Sequence, residues 1–251
     1  PAAKNFAVPC RLQIFFKAAC TTVLIIDKCR YLRYNIFMKI FIASDLHGSA
    51  EYCRQMIEAF NNENADKLLL LGDVLYHGPR NPLPDGYSPQ EVVQMLESIK
   101  NKILCVKGNC DAEIDECLLP FPVISNLGAV FADGLNIYFA HGHGDAPLLS
   151  DGDVYLTGHT HVALNAKENG HYHLNPGSLS LPKDGSKRGY IVYENRKFTF
   201  KELSGEPYDE LDIDAERERS EQAEQVEEEQ PAPVQVRRPQ TVRRKIVIRR
   251  R

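Results

Sequence analysis

The chain has 251 residues, of which 43% are hydrophobic, enough to bury one sizeable core, or conceivably two small ones, without disulfides or other staples. Its net charge of −4 excludes a molecule that is basic throughout and coats nucleic acid, although the charges are unevenly spread. The seven cysteines, odd in number and in no C-x-x-C pair, argue against a disulfide framework and suit a reducing compartment, so a cytoplasmic location is expected.

Residues 1–37 begin with Pro1 and hold six Lys or Arg against the single Asp27. Their apolar run from Ala18 to Ile26 is far shorter than the roughly 20 residues that span a bilayer, so no transmembrane segment is expected. Asp27, Lys28 and Arg30 stand where a signal peptide would have its cleavage site. Met38 is therefore expected to be the natural start and 1–37 an appended or flexible extension, the alternative being a membrane-associating arm. From Met38 to Ser204 short apolar runs alternate with amphipathic stretches, the pattern of an α/β domain. Strands are predicted at 39–43, 67–71, 103–107, 136–140 and 154–157, and helices at 50–60 and from Ser88 to about Lys100. The second helix would open on a capping box, Ser88-Pro89-Gln90-Glu91, with proline at its first position. After Val162 helical signals stop, and Asn169-Gly170 and Asn195-Arg196 read as hairpin turns. Beyond Gly205 the charges segregate: residues 206–230 hold twelve acids against Arg217 and Arg219, and 231–251 hold eight bases and no acid. Such a stretch buries too little apolar surface to fold alone, so 205–251 is expected to be a disordered tail with at most a transient helix near 215–229.

The chemistry sits immediately after the predicted strands, where α/β sheets bind ligands. Asp45-Leu46-His47 follows the first, Gly72-Asp73 the second, Gly108-Asn109-Cys110-Asp111 the third, His141-Gly142-His143 the fourth and Gly158-His159-Thr160-His161 the fifth. Taken singly, each residue has a bland explanation as a cap, a turn or a hydrogen-bonded histidine. Together they bring oxygen and imidazole donors from five segments to one edge, beside glycines that permit sharp turns.

In this order Asp-x-His, Gly-Asp, Gly-Asn-x-Asp, His and Gly-His-x-His resemble the calcineurin-like metallophosphoesterases, over roughly Met38 to Leu203. The longer strings at 72–81, 108–115 and 175–178 (Asn-Pro-Gly-Ser) are similar to the bacterial YfcE phosphodiesterase group. The resemblance implies a four-layer αββα sandwich of two mixed β-sheets with a dinuclear centre at one edge. It places Asp45, His47 and His161 on one metal, Asn109, His141 and His159 on the other, and Asp73 between them. His143, which shares a motif with His141, is a substrate-facing or proton-donating candidate. Carboxylate, amide oxygen and imidazole are borderline to hard ligands, so manganese (Mn2+) is the first choice, with zinc (Zn2+), iron (Fe) or cobalt (Co2+) as alternatives. Two ions about 3.5–4 Å apart would activate a bridging hydroxide for in-line attack on a phosphodiester.

Where many family members have a histidine, this chain has Cys110, as YfcE-like sequences do; it is expected to be a small buried residue and not the general acid. Asp111 is expected to accept a hydrogen bond from a ligand imidazole. The Gly-, Pro- and Asn-rich stretch from His77 to Tyr87 offers Arg80 as a phosphate contact, and His171 and His173 are expected to be ordinary strand residues. Two rival functions stand beside this one: a non-catalytic scaffold, like the retromer subunit of the same fold, or a nuclease whose partner, nucleic acid, is held by the basic tail. The small phosphodiester is the expected partner; a homo-oligomer is left open.

Overall fold

The computed structural model describes residues 22–27, 30–35, 38–124 and 126–228. Two strands, β1 (Thr22–Asp27) and β2 (Arg30–Asn35), pair as an antiparallel hairpin. The apolar run at 18–26 is therefore described only from Thr22 onward, and its first residues lie outside the described set.

From Ile40 the chain builds two mixed sheets. The first has seven strands in the order β14-β13-β12-β3-β4-β5-β6, and the second has five in the order β10-β11-β9-β8-β7. Three parallel strands, β3 (Ile40–Ala43), β4 (Lys67–Leu70) and β5 (Ile103–Val106), are linked through α1 (Ala50–Asn62) and α2 (Pro89–Glu97). All three strands are almost wholly buried, as parallel strands covered on both faces must be. Period-two alternation divides them. Phe41, Ala43, Leu68 and Leu70 face Cys53, Met56, Phe60 and Val92 of the helices. Ile40, Ile42, Leu69 and Leu71 meet Ile137, Phe139, Val154 and Leu156 of the second sheet. Two continuous cores, one under the helices and one between the sheets, thus fix which strand ends lie side by side.

The predicted strands and hairpins are present with ends shifted by a residue. β8 (Leu135–Phe139) and β9 (Val154–Leu156) run parallel in the second sheet; β10 (Ala163–Glu168) and β11 (His171–Pro176) turn at Asn169-Gly170, and β12 (Gly189–Glu194) and β13 (Lys197–Glu202) turn at Asn195-Arg196. Ser49 caps α1, its hydroxyl accepting the Tyr52 N–H at 3.2 Å. The box expected at α2 is different: the Ser88 hydroxyl donates to the Glu91 carboxylate at 3.0 Å and caps no backbone N–H, and a 3-10 turn at Lys100–Lys102 replaces the last helical turn.

The sequence marked no strands at β1, β2, β6 (Val123–Ile124) or β7 (Gly128–Ala132) and no helix at α3 (Glu113–Leu118). The folded unit also runs past Ser204, which corrects the expected boundary. β14 (Pro207–Asp212) pairs antiparallel with β13, and Leu211 and Ile213 are buried between the sheets. The acidic residues of β14 face solvent on an edge strand, so their charge does not prevent pairing. Past Ile213 the described residues 214–228 belong to a separate unit, and α4 (Ile213–Glu228) carries Arg217–Glu221 and Arg219–Glu216 pairs; the rest of the expected disordered tail, from 229, lies outside the described residues.

Candidate metal centre

Five strand ends bring the polar residues together: Asp45 and His47 follow β3, Asp73 follows β4, Asn109 follows β5, His141 follows β8, and His159 and His161 follow β9. Asp45, His47, Asp73, His159 and His161 all have left-handed backbones, with φ of 55°, 50°, 53°, 67° and 63°. That conformation costs a non-glycine residue roughly 1–3 kcal/mol and persists only where neighbours over-determine it. Here they do. His47 N–H donates to Asp73 O at 2.8 Å, and the Asp45 carbonyl accepts from the Ser178 and Ser180 hydroxyls at 2.8 and 3.1 Å. Asn175 ties the Gly158 carbonyl at 2.7 Å and accepts from Gly177 N–H, which gives the Asn-Pro-Gly-Ser string its task. Gly158 is required by close approach: a Cβ there would lie 1.9 Å from Ser44 Oγ.

The imidazoles are aimed from behind. Nδ1 of His47, His141 and His161 lies 2.9, 2.7 and 2.7 Å from the carbonyls of Tyr76, Leu71 and Leu181, so each Nδ1–H is taken and each Nε2 points inward. Inside, His47 Nε2 and His161 Nε2 are 3.0 Å apart. Asp45 Oδ1 is buried without a hydrogen bond, its neighbours being His161 Nε2 at 3.3 Å and His47 Nε2 at 3.6 Å. Asn109 Oδ1 is 3.0 Å from His141 Nε2 and 2.6 Å from His159 Nδ1. Asp73 Oδ2 faces both groups, 3.3 Å from His141 Nε2 and 3.8 Å from His47 Nε2, while its Oδ1 accepts the Cys110 N–H at 2.8 Å. Acceptors crowding acceptors, with an orphaned carboxylate oxygen among them, fit a set of donors for a shared cation and not a self-sufficient hydrogen-bond network.

Protonation reflects the same crowding. Burial works against charge on Asp45, yet His161, His47 and His141 outweigh it and hold the carboxyl far below the ordinary range. Asp73 is likewise lowered: burial opposes this, but its bond to His141 prevails. Burial would lower His141, but Asp73 and Asp45 push it up to about 9, and His47 is raised against burial by Asp45. Burial and the His141 charge lower His159. Burial, reinforced by Asp73, pushes the Cys110 thiol up to about 12.

All seven expected ligands come together. Arg80 lines the adjoining cleft of about 890 Å³, between the metal-site residues and Tyr76, Pro79 and Pro82. His143 is not in that cleft: it is exposed, its ring centroid 5.5 Å from that of His141 and 6.1 Å from that of His159, on a neighbouring depression of about 340 Å³ that His141 also lines. Cys110 is only half-buried and forms part of the cleft wall, correcting the expectation of a buried packing residue. The role expected of Asp111 is corrected too. It meets no imidazole, because the carbonyls have taken those N–H groups; its Oδ2 accepts from Asp73 and Gly108 N–H at 2.8 and 2.7 Å, and its Oδ1 from Val74 N–H at 2.8 Å. His173 is indeed a strand residue, bonded to Thr157 Oγ1 at 2.9 Å. Lys183 and Tyr76 in the cleft were missed; they lie outside any motif and no periodicity marks them.

A two-sheet sandwich with oxygen and imidazole donors gathered at its strand ends is the architecture of a metallophosphoesterase, a hydrolase. The model of the calcineurin-like phosphoesterase superfamily domain matches residues 38–197, and the chain belongs to that family. It is 40% identical over 162 residues to phosphodiesterase YfcE of Escherichia coli, covering 63% of this chain and 88% of that one. The solved structure of the E. coli phosphoesterase YfcE superposes with a TM-score of 0.68 at 38% identity, covering 70% of this chain and all (100%) of that one. Phosphodiesterase MJ0936 of Methanocaldococcus jannaschii is 28% identical over 151 residues, 56% of this chain and 83% of that one.

Proposed function

We propose that this chain is a dinuclear-metal phosphodiesterase. Asp45, His47 and His161 would hold one divalent cation, Asn109, His141 and His159 the other, and Asp73 would be shared. The observation that carries the reading is the inward set of Nε2 atoms around the orphaned Asp45 Oδ1. Two cations bound there would supply an activated water at neutral pH and offset charge on the phosphoryl oxygens. The chain's own contribution is to hold the donors in place: backbone carbonyls fix the imidazole tautomers, and Asp111 joins the loop of Asp73 to that of Asn109. Manganese remains the first choice, because the seven proposed donors are oxygen and imidazole. The diester preference rests on the YfcE relationship. A cytoplasmic setting is supported by four free cysteines among the described residues, and no described helix is long and apolar enough to cross a membrane.

The test is turnover of an aryl diester and the matching aryl monoester by protein loaded with Mn2+, Zn2+, Co2+ or Fe2+. Diester hydrolysis faster than monoester hydrolysis, lost on chelation and restored by metal, is expected. Undiminished turnover in metal-free protein would overturn the reading, and a faster monoester would overturn its diester part.

A further inference from the structure

Arg80 and Lys183 share a property found in no other Lys or Arg between Lys39 and Lys201. Each of the others has a partner. Lys39, Arg54, Lys100, Lys107, Lys187, Lys197 and Lys201 are paired with carboxylates. Lys67, Arg188 and Arg196 donate to carbonyls, and Lys102 and Lys167 lie over aromatic rings. The side chains of Arg80 and Lys183 have no such partner among the described residues, both are exposed, and both line the cleft beside the candidate metal centre. They come from different segments, Arg80 from the loop after β4 and Lys183 from the loop between β11 and β12, where its backbone N–H donates to the carbonyl of His161 at 3.0 Å. Among the described residues the carboxylates lining the cleft are Asp73 and Asp111, and both are engaged at the centre itself.

Charge balance then says what the pair is for. Two divalent ions carry four positive charges, which Asp45, Asp73, the buried Asp111 carboxylate, the hydroxide that hydrolysis consumes and the single negative charge of a diester already offset. A monoanionic substrate therefore leaves Arg80 and Lys183 together with more positive charge than the site has anions to meet. We propose that Arg80 and Lys183 form a subsite for a second anionic group, a phosphate or carboxylate carried by the substrate away from the scissile phosphorus. Tyr76, 39% exposed, lines the same cleft and supplies an aromatic ring on which a planar group between the two anions could stack. The substrate class is therefore a small, multiply charged phosphodiester of nucleotide type. This inference rests on the phosphodiesterase reading for the reacting end and adds the recognition of the other end.

The experiment is calorimetric binding to metal-loaded full-length protein of a nucleoside 3′,5′-bisphosphate and the matching 5′-monophosphate, which reports recognition whether or not either is hydrolysed. The bisphosphate should bind about tenfold or more tightly, the scale of a charge-assisted contact. That advantage should shrink to about twofold in Arg80→Ala plus Lys183→Ala and invert in Lys183→Glu, since both side chains are exposed and their replacement leaves no buried group unpaired. Equal affinity for the two ligands in the wild type overturns the subsite, as does an advantage that survives the double substitution. A parallel assay compares a nitrophenyl nucleotide diester with and without a 3′-phosphate. Turnover of both at equal kcat/KM would sink the subsite and leave the phosphodiesterase reading standing, whereas discriminating binding with no turnover of any diester would do the reverse.

Discussion

Asp111 is the residue whose removal should reveal how the centre is held. Its buried carboxylate accepts three backbone N–H groups, from Gly108 at 2.7 Å and from Asp73 and Val74 at 2.8 Å each, and so staples the turn after β4 to the turn after β5. Asp111→Ala leaves all three donors buried and unpaired. At about 1–3 kcal/mol for each orphaned donor, and with water able to fill part of the hole, the expected loss is roughly 3–6 kcal/mol, a large share of the 5–15 kcal/mol typical of a domain. The carboxylate itself is not at ease, for burial raises its pKa despite the three bonds. That would favour a neutral group, yet an amide should still be no adequate substitute: in Asp111→Asn one of the accepting atoms becomes a donor and meets an N–H head on. Denaturant unfolding of chelated wild type and both variants measures the loss without interference from metal. A loss under 1 kcal/mol in Asp111→Ala would show that the two turns hold themselves and that the stapling argument is wrong.

Cys110→Ser should change turnover less than threefold, because a thiol pushed up to about 12 is a poor proton donor at neutral pH; the wild-type rate should then climb steeply with leaving-group acidity, and a flat dependence across a series of aryl diesters would reveal a donor elsewhere. Ending the chain after Ser204 should cost roughly 3–6 kcal/mol relative to ending it after Ile213, since Leu211 and Ile213 are each worth about 1.5–3 kcal/mol of burial; equal unfolding midpoints for the two would return the boundary to Ser204. Metal binding near pH 7 should release protons, because His141 at about 9 and the raised His47 are protonated without metal. Affinity should rise with pH up to about 9, and calorimetry in buffers of different ionisation enthalpy should show it. In chelated protein the His141 contribution runs the other way: its raised pKa stabilises fully below 6.5 and is lost as pH rises through about 9. Buffer-independent heats would contradict the proton release.

What the sequence made legible follows from what repeats. β3, β4, β5 and β9, buried almost throughout, read as continuous apolar runs, and β8 as one broken only at Asn136; each proposed ligand sits two to five residues beyond one of these strands, so the five strands and all seven proposed donors could be found in chain order. Asn169-Gly170 and Asn195-Arg196 marked their hairpins because left-handed turns favour Asn and Gly; Arg196 takes the same backbone, φ 62°, without that preference. The misses have physical causes. β7 alternates partial burial with exposure, Phe131 reaching solvent at 69%, and gives no apolar run; its Asp133-Gly134 turn, φ 50° and 76°, was the available signal. Acidic β14 is paired through its backbone, which composition does not report. Asp111 was legible as important but not in its role, because whether a carboxylate meets an imidazole or a peptide N–H depends on which carbonyls have already satisfied the imidazoles. Lys183 carried no local signal; it matters only because the cleft leaves it unpaired beside Arg80.

The proposed centre holds two divalent cations that share Asp73. The direct measurement is metal content per chain at saturation, by elemental analysis after removal of free metal, for the wild type and for Asp73→Ala. Two equivalents in the wild type, falling to one or none in the variant together with loss of diester turnover, is the predicted result. A wild type that saturates at a single equivalent, or an Asp73→Ala variant that keeps two and still turns over, would contradict it.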